Sequence, residues 1–313
     1  MALRLIHGWR GLAAADRGAS VALGNFDGVH RGHQAVIALA ARAAAAAGAP
    51  LGVISFEPHP RRIFQPDAPP FRLMSTAQQG RALAALGVDR LYVLPFELHL
   101  AEMSDRAFVD EVLHQGLGVR HVAVGFDISF GKGRTGSPQL MARYGAEMGF
   151  GVSIAEAAGA GGAKFSSTLV REALRDGRPA DAAAILGRCF AIEGEVTRGR
   201  QLGRTLGFPT ANVALGDYVR PKFGVYATRT RLPDGRLVPG VASIGVNPTV
   251  GEVEARLEVW LFDFDEDLYG QVIETELVAY LRPEEKFDSL ERMVEQVRRD
   301  ADQARALLTP EFG

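Results

Sequence analysis

The chain of 313 residues has one cysteine, no surplus of either charge and no long apolar run. A single cysteine, Cys189, excludes an internal disulfide and is typical of a protein from a reducing compartment. A surplus of basic residues is the usual electrostatic sign of nucleic-acid binding. The chain has 35 basic and 37 acidic residues, so it has no such surplus. No stretch reaches the roughly 18 uninterrupted apolar residues of a membrane span, and residues 1–10 lack the apolar core of a signal peptide. We therefore expect a cytoplasmic protein that binds neither nucleic acid nor a membrane, with its oligomeric state open.

The spacing of apolar segments divides the chain into two halves. From residue 19 to about 155, short strand candidates alternate with helix candidates, which predicts a parallel sheet covered by helices on both faces. The strand candidates are 21–23, 51–56, 90–94, 121–125 and 152–155, and the helix candidates lie near 33–47, 76–86, 104–116 and 137–149.

After about residue 188, extended segments follow one another, which suggests a small barrel or sandwich. They are 190–196, 222–232, 237–245, 255–264 and 271–281. One amphipathic helix closes the chain, with Asp288 and Glu291 as its expected capping box. We expect two domains, residues 1–185 and residues 186–313.

The most informative segment follows the apolar run Val21–Leu23 and reads Gly24-Asn25-Phe26-Asp27-Gly28-Val29-His30-Arg31-Gly32-His33. Its three glycines let the backbone bend and approach a ligand, and the alanine-rich stretch that follows predicts a helix ending at Gly48. A helix N-terminus presents backbone N–H groups and a partial positive charge, which favour phosphate. Beside it, His30 and His33 are able to donate hydrogen bonds to a polyphosphate as charge builds up in a transition state. The pattern favours phosphate chemistry at the carboxyl end of this strand, where such sheets bind ligands.

Two histidines at a glycine-rich turn also allow a metal pair or ordinary polar surface residues. A zinc site needs a third and usually a fourth ligand, and with one cysteine only oxygen and nitrogen donors remain for that role. We therefore favour phosphate binding over both alternatives.

Two further segments of the first half place polar groups at the ends of predicted elements. Ser55-Phe56-Glu57-Pro58-His59-Pro60 ends the second strand, and its prolines are expected to hold His59 in an extended loop at the same end of the sheet. Residues 165–171 read Phe-Ser-Ser-Thr-Leu-Val-Arg and open a helix. Ser167 or Thr168 would cap that helix, and Arg171 lies one turn further on, able to reach an anion at its N-terminus.

Residues 131–136 read Gly-Lys-Gly-Arg-Thr-Gly, a literal G-x-G-x-x-G. The dinucleotide-binding fingerprint belongs at the first strand–helix turn of a βαβ unit, whereas this string follows the fourth strand candidate. We interpret it as a mobile basic loop and not as a dinucleotide site.

In the second half, a glycine-rich loop with basic residues over 199–207 leads to Phe208-Pro209-Thr210-Ala211-Asn212. Composition alone fits a polyphosphate-binding loop and an ordinary loop equally well. Thr210 and Asn212 would offer neutral oxygen atoms to a hard cation such as Mg²⁺. The acidic residues of 263–267 we interpret as a turn and not as a metal site.

Residues 24–33 resemble the histidine-containing signature of the nucleotidyltransferase superfamily, in the form found in prokaryotic bifunctional riboflavin kinase/FMN adenylyltransferases (FAD synthetases). Residues 56–60 are similar to a string that helps to shape the ATP and flavin sites of that family, and 166–171 to its Ser-Ser-Thr-x-x-Arg motif for the β- and γ-phosphates of ATP. Residues 125–131 resemble its flavin-binding Gly-x-Asp-Phe-x-Phe-Gly, with Ile128 in place of the usual aromatic residue.

The resemblance implies a Rossmann-like nucleotidyltransferase domain with catalytic residues His30 and His33. The ATP-binding residues that it implies here are Gly24, Phe26, Gly32, Ser167, Thr168 and Arg171. The flavin-binding residues that it implies are His59, Pro60 and Asp127.

Residues 203–212 closely resemble the riboflavin kinase signature of the same family, and similar strings follow in order at 224–227, 247–249, 258–270 and 281–287. The resemblance implies a small antiparallel β-barrel closed by a helix, with Glu258 as the catalytic base that takes a proton from the ribityl 5′-hydroxyl. It implies ATP binding by Gly199, Gly203 and Arg204, flavin binding by Gly207, Asn247 and Arg282, and Mg²⁺ binding by Thr210 and Asn212.

Taken over residues 20 to 300, the resemblance predicts a bifunctional enzyme with the substrates riboflavin, FMN, FAD and ATP and with Mg²⁺ as cofactor. Two other classes stay open. The first half alone would be able to adenylylate another phosphorylated metabolite, although the complete kinase half argues against this. A flavin-binding regulator without catalysis would lack one of His33, Arg171, Thr210 and Glu258, and all four are present.

Overall fold

The computed structural model describes residues 3–156, 159–160, 163–198, 207–246 and 255–308. These residues form two compact units. The N-terminal unit takes in the described residues of Met1–Ala68 and Thr76–Ser166, and the C-terminal unit those of Pro69–Ser75 and Ser167–Gly313. The short segment Pro69–Ser75 therefore belongs to the second unit, although the chain on both sides of it belongs to the first.

A six-stranded parallel sheet forms the centre of the N-terminal unit, in the order β1-β4-β3-β2-β5-β6. Its strands are β1 (Arg4–His7), β2 (Ser20–Leu23), β3 (Leu51–Glu57), β4 (Arg90–Pro95), β5 (His121–Gly125) and β6 (Gly151–Ala155), followed by the short antiparallel pair β7 (Gly159–Ala160) and β8 (Ala163–Lys164). All four residues of β2 are buried, as expected for a central strand with covered faces.

Helices connect these strands, which makes the parallel arrangement possible. They are α1 (Arg31–Ala47), α2 (Pro60–Phe64), α3 (Thr76–Ala85), α4 (Leu98–Ala101), α5 (Asp105–Ala107), which continues as a π-helical stretch (Phe108–Gly116), and α6 (Pro138–Met148). The chain runs from β2 to β3 on one side and returns to β5 on the other, so the strand order reverses at β2. Ligands of such sheets bind outside the carboxyl ends of the strands at this reversal point, where residues 24–30 lie.

The C-terminal unit is an antiparallel six-stranded barrel in the order β10-β13-β12-β11-β14-β9. Its strands are β9 (Phe190–Glu195), β10 (Ala211–Ala214), β11 (Gly224–Arg231), β12 (Leu237–Val246), β13 (Ala255–Leu261) and β14 (Val272–Arg282). Helices α7 (Ser167–Arg175) and α8 (Pro179–Leu186) precede the barrel, and α9 (Leu290–Leu308) follows it. Thr197 donates its N–H to the carbonyl oxygen of Asn212 at 2.8 Å, which nearly closes the barrel between β9 and β10.

Each unit has its own hydrophobic core. In the barrel, alternate residues of β13 (Leu257, Val259 and Leu261) point inward, while the residues between them are half-buried on the other face. Helix α9 packs Ala301, Ala304 and Leu308 against a second apolar cluster that includes residues of β11 and β12. The alternation is the period-two pattern of a strand with one buried face.

The predicted fold class is confirmed, and the differences concern short or capped elements. Strands β1 and β10 were not expected, because four residues such as Arg4–His7 carry little periodic signal. At the start of α9, Ser289 rather than Asp288 is the cap, since its Oγ accepts the N–H of Arg292 at 3.3 Å. That the chain divides into functional domains of residues 1–185 and 186–313 stays a prediction.

Candidate functional sites

The first candidate site begins at the N-terminus of α1, which starts at Arg31 and so includes His33 in its first turn. His30 occupies the position before the helix, and its Nδ1 accepts the backbone N–H of His33 at 3.2 Å. This bond satisfies one of the N–H groups that a helix leaves without an internal partner. A neutral imidazole that accepts at Nδ1 carries its proton on Nε2, so His30 is a hydrogen-bond donor at Nε2.

The rings of His30 and His33 stack at a centroid distance of 3.6 Å and an interplanar angle of 20°. Phe26 packs edge-on against His33, with ring centroids 5.1 Å apart. Both side chains are buried, with 5% of His30 and 1% of Phe26 exposed. The two imidazoles are therefore held in a fixed arrangement at a helix N-terminus, the position where an anion is favoured.

Gly32 is required by the close approach of its neighbours. A Cβ atom on this residue would lie 3.1 Å from the ring of His30 and 3.2 Å from the carbonyl oxygen of Phe165. A side chain here would displace the His30 ring or the backbone at Phe165. At Gly24 the added Cβ would meet Phe26 at 3.4 Å, an ordinary contact, so this position has more room.

The loop between β2 and α1 has an unusual backbone that other side chains hold in place. Phe26 and Val29 have φ values of 51° and 40°, in the left-handed region that costs energy for residues other than glycine. Gln79 of α3 donates to the carbonyl oxygens of Asn25 and Phe26 at 3.1 and 3.3 Å. Gln34 donates to the carbonyl oxygen of Val29 at 3.0 Å.

The sequence analysis did not predict that Gln79 supports this loop. The pattern does place Gln79 on the buried face of the predicted helix, because Gln79 and Leu83 are four residues apart and so share a face. Gln79 is buried on that face, and a buried amide needs hydrogen-bond partners.

His59 and Pro60 follow β3 at the same edge of the sheet, but the extended loop expected there is wrong. Pro60 begins the short helix α2, and His59 precedes it with its Nδ1 accepting the N–H of Arg61 at 3.1 Å. Proline is favoured at the first helical position, because its missing N–H would have had no partner there. His59 thus has the same capping role at α2 as His30 has at α1.

Asp127 lies in a turn after β5, where Ile128 donates its N–H to the carbonyl oxygen of Gly125 at 3.2 Å. Lys132 pairs with Glu102, and Arg134 donates to Ser129 at 2.8 Å. The G-x-G-x-x-G string thus forms a loop with a short 3₁₀ turn and does not open a helix after a first strand. This arrangement agrees with its interpretation as a basic loop.

Ser167 and Thr168 are the first two residues of α7, so neither is the residue that precedes the helix. Arg171 follows one turn later. Its Nε donates to the carbonyl oxygen of Phe71 at 2.7 Å, and its guanidinium carbon lies 5.6 Å from the centre of the Phe71 ring. All four residues belong to the C-terminal unit.

The second candidate site lies on the barrel, where Asn212 of β10 and Glu258 of β13 are directly opposite each other. Ser243 of β12 is opposite Glu258 on its other side, so the three residues form a row across three strands. Directly opposite residues of an antiparallel pair point to the same face, with Cβ atoms about 5 Å apart. The row places the side chain of Glu258 beside the amide side chain of Asn212.

Thr210 and Asn212 line a cavity of about 330 Å³, together with residues of β13 and the turn that follows it. The Nδ2 of Asn212 donates to the carbonyl oxygen of Thr210 at 3.4 Å. Within the described ranges, no three His, Cys, Asp or Glu side chains come together as a metal site.

Three carboxylates of the acidic turn after β13 have partners within the described residues. Glu266 pairs with Arg236 through two hydrogen bonds of 2.8 and 2.9 Å, and Asp267 accepts the N–H of Tyr269 at 2.9 Å. Asp263 pairs with Arg305 of α9 at 2.9 Å.

Two further groups lie beside the row. A Cβ atom on Gly245 would collide with the carboxylate of Glu284, so this carboxylate covers the backbone at Gly245. Partial burial, and then the negative charge of Glu258, raise the pKa of Glu284. Arg282 donates to the buried carboxylate of Asp300 in α9 at 2.8 to 3.1 Å.

The other predicted ligands are divided between the described and undescribed parts of the chain. Gly207 is described and has a φ of 85°. Gly199, Gly203, Arg204 and Asn247 lie outside the described residues. None of the helices in the described part of the chain has the length and apolar composition of a membrane span.

Comparison with known proteins matches both halves of the chain. A family model described as FAD synthetase matches residues 12–169, and one described as riboflavin kinase matches residues 186–308. The chain is 42% identical to the bifunctional riboflavin kinase/FMN adenylyltransferase of Pseudomonas fluorescens, over 98% of this chain and 99% of that protein. It is 40% identical to the protein of the same description from Escherichia coli K12, over 97% of each.

Among solved structures, the crystal structure of a protein named macrolide-efflux protein from Streptococcus pneumoniae has a TM-score of 0.86. The two chains are 29% identical, and the match covers 97% of this chain and 99% of the other. The two folds are alike over nearly their whole length.

Proposed function

We propose how the residues of this chain divide two reactions, on the premise that it belongs to the bifunctional riboflavin kinase/FMN adenylyltransferase family. The chain is a riboflavin kinase and an FMN adenylyltransferase, and both reactions use ATP. Riboflavin is phosphorylated to FMN, and adenylyl transfer to FMN then gives FAD and pyrophosphate. We assign adenylyl transfer to residues 1–185 and the kinase reaction to residues 186–313.

In the kinase reaction, the ribityl 5′-oxygen of riboflavin attacks the γ-phosphorus of ATP. A bond forms between them, the bond from the γ-phosphorus to the bridging oxygen breaks, and ADP leaves. We assign Glu258 as the base that takes the 5′-hydroxyl proton. The observation that carries this assignment is the cross-strand pairing of Glu258 with Asn212, one of the residues that line the cavity.

Thr210 and Asn212 fit a magnesium ion that arrives with ATP. Both residues line the cavity and have neutral side-chain oxygen atoms, and Mg²⁺ is commonly bound by few protein oxygens together with phosphate oxygens and waters. When bound, Mg²⁺ would offset negative charge on the phosphates. We assign ATP binding also to Gly199, Gly203 and Arg204, and flavin binding to Gly207, Asn247 and Arg282, from the family motifs.

In adenylyl transfer, a phosphate oxygen of FMN attacks the α-phosphorus of ATP directly, so the protein needs no nucleophile. The bond from the α-phosphorus to the bridging oxygen breaks, and pyrophosphate leaves. We assign His30 and His33 to stabilise the charge that develops on these phosphates. Their stacked rings at the N-terminus of α1 support this role, because preorganised donors need no rearrangement during the reaction.

The remaining adenylyl-transfer residues follow the family motifs. We assign Gly24, Phe26 and Gly32 to ATP, and Ser167, Thr168 and Arg171 to its β- and γ-phosphates. His59, Pro60 and Asp127 are assigned to the flavin. A cytoplasmic location stays a proposal from the single cysteine.

The experiment is a chromatographic time course of the purified protein with riboflavin, ATP and Mg²⁺, in which FMN and FAD are separated. We expect FMN to appear first and FAD second. His33→Ala should abolish FAD formation and leave FMN formation intact, whereas Glu258→Gln should stop FMN formation and still give FAD when FMN is supplied. The exposed residues His114 and Glu295 provide matched controls, His114→Ala and Glu295→Gln. Loss of both activities in either site variant, with the protein still folded, would contradict the division into two sites.

A further inference from the structure

The segment Pro69–Ser75 is hydrogen-bonded and packed into the C-terminal unit. The N–H groups of Phe71 and Arg72 both donate to the carbonyl oxygen of Asp217, at 3.0 and 2.9 Å. The N–H of Val219 donates back to the carbonyl oxygen of Arg72 at 2.8 Å. These bonds attach the segment to the loop that follows β10.

Side chains anchor the segment beyond Phe71. Leu73 is buried in the hydrophobic core of the unit, next to residues of α7 and of the barrel. Ser75 donates to the carboxylate of Glu193 in β9 at 2.6 Å. Phe71 is therefore held in place from both the backbone side and the C-terminal end of the segment, with 1% of its surface exposed.

Phe71 contacts Arg171 in two ways. Its carbonyl oxygen accepts the Nε–H of Arg171 at 2.7 Å, and its ring lies under the guanidinium, with 5.6 Å between the ring centre and the central carbon. A hydrogen bond to Nε fixes the direction of the guanidinium plane, and an aromatic face supports that plane by a cation–π interaction. The Nε–H is one of the five N–H donors of arginine, and the two terminal nitrogens carry the other four.

We infer that Phe71 is a positioning residue for Arg171 in adenylyl transfer. This inference rests on the proposed function, which assigns Arg171 to the β- and γ-phosphates of ATP. An arginine that is already oriented loses less side-chain entropy when it binds phosphate. Phe71 therefore strengthens ATP binding for adenylyl transfer, although it does not itself touch the nucleotide.

The test measures ATP dependence in adenylyl transfer from supplied FMN and, separately, in the kinase reaction. Phe71→Leu keeps an apolar side chain and the backbone carbonyl but removes the ring. We expect its KM for ATP in adenylyl transfer to rise about 10-fold, the size of a partly desolvated cation–π interaction, while kcat falls much less. Kinase parameters should stay within about 2-fold of the wild type, because only the support of Arg171 is removed.

Two matched variants separate positioning from stability. Phe71→Tyr retains the ring and should have the wild-type KM for ATP in adenylyl transfer. Leu73→Ala loses buried apolar contact in the same segment and should lower the melting temperature without raising that KM. If Phe71→Leu does not fold, Phe71→Met, which is apolar and has no ring, takes its place. An equal rise of KM in Leu73→Ala, or none in Phe71→Leu, would overturn the inference.

A double-mutant cycle with Arg171→Ala distinguishes this inference from the function on which it rests. If Phe71 acts through Arg171, Phe71→Leu should cause no further rise of KM in the Arg171→Ala background. If Arg171→Ala leaves adenylyl transfer unchanged, the proposed role of Arg171 fails. If Arg171→Ala weakens ATP binding and the two effects simply add, the proposed role stands and the role of Phe71 is refuted.

Discussion

Asn212 and Glu258 are direct cross-strand partners in the antiparallel pair of β10 and β13. The carbonyl oxygen of Asn212 also accepts the N–H of Thr197, the bond that nearly closes the barrel. Asn212, the proposed metal ligand, is thus held by backbone hydrogen bonds or strand pairing on both sides. It lies opposite Glu258, the proposed base. A ligand and a base that share one rigid sheet keep their spacing without help from a flexible loop.

This arrangement predicts a kinase-specific defect in Asn212→Ala. Loss of one oxygen donor should lower kinase activity about 10-fold or more and raise the Mg²⁺ concentration that gives half the maximal rate. Titration of Mg²⁺ in the FMN-forming reaction measures both effects. Adenylyl transfer from supplied FMN is the internal control and should be unaffected. An unchanged Mg²⁺ requirement would show that Asn212 is not a ligand.

A second prediction concerns Gly32. In Gly32→Ala the new Cβ would lie 3.1 Å from the His30 ring, so the ring must shift by a few tenths of an ångström. We expect adenylyl transfer to fall about 10-fold or more, as follows from small displacements of catalytic groups, with kinase activity retained. Gly80→Ala in α3 is the matched control, because a Cβ at that position meets nothing within 4 Å. Equal effects of the two changes would rule out the steric explanation.

Gln79→Ala tests the support of the loop between β2 and α1. The change leaves the carbonyl oxygens of Asn25 and Phe26 without their amide donor, at a typical cost of about 1–3 kcal/mol. Because Phe26 already has a left-handed backbone, we expect the loop to relax and adenylyl transfer to slow down while FMN formation continues. Gln115→Ala, at an exposed glutamine, is the control in the same two assays. Normal FAD formation by Gln79→Ala would refute the supporting role.

The sequence was sufficient to predict the alternating first half and the strand-rich second half, because these patterns repeat over many residues. It was insufficient where single contacts decide the local structure. The helical start at Pro60 depends on a cap by His59, and α9 is capped by Ser289 rather than by the equally suitable Asp288. The membership of Pro69–Ser75 in the second unit depends on hydrogen bonds to Asp217, almost 150 positions further along the chain, which no local pattern encodes.

The ion pair of Arg282 and Asp300 predicts a stability effect. Both side chains are largely buried, and Asp300 also accepts a hydrogen bond from Gln296 at 2.9 Å. Asp300→Ala would remove the buried partner of the Arg282 guanidinium and leave it only the exposed carboxylate of Glu285 at 4.0 Å, which should lower the free energy of unfolding by about 3 kcal/mol. Glu295→Ala breaks the exposed pair with Arg299 on the helix that contains Asp300 and should cause no measurable change. Urea unfolding of both variants makes the comparison, and equal losses would contradict it.

His121 predicts how stability changes with pH. Its ring lies against the backbone of Gly151, its partner on β6, and its Nε2 is 2.9 Å from the hydroxyl of Ser153. Burial lowers the pKa of His121 below its ordinary value of 6.5. The unfolded chain therefore binds a proton at a higher pH than the folded chain does, and stability must fall as the pH drops below about 6.5. His121→Gln removes this titration, so its free energy of unfolding should decrease less between pH 7.5 and pH 5.5 than that of the wild type. The exposed His114→Gln should keep the wild-type decrease, and an undiminished decrease in His121→Gln would show that burial of His121 does not control the acid sensitivity.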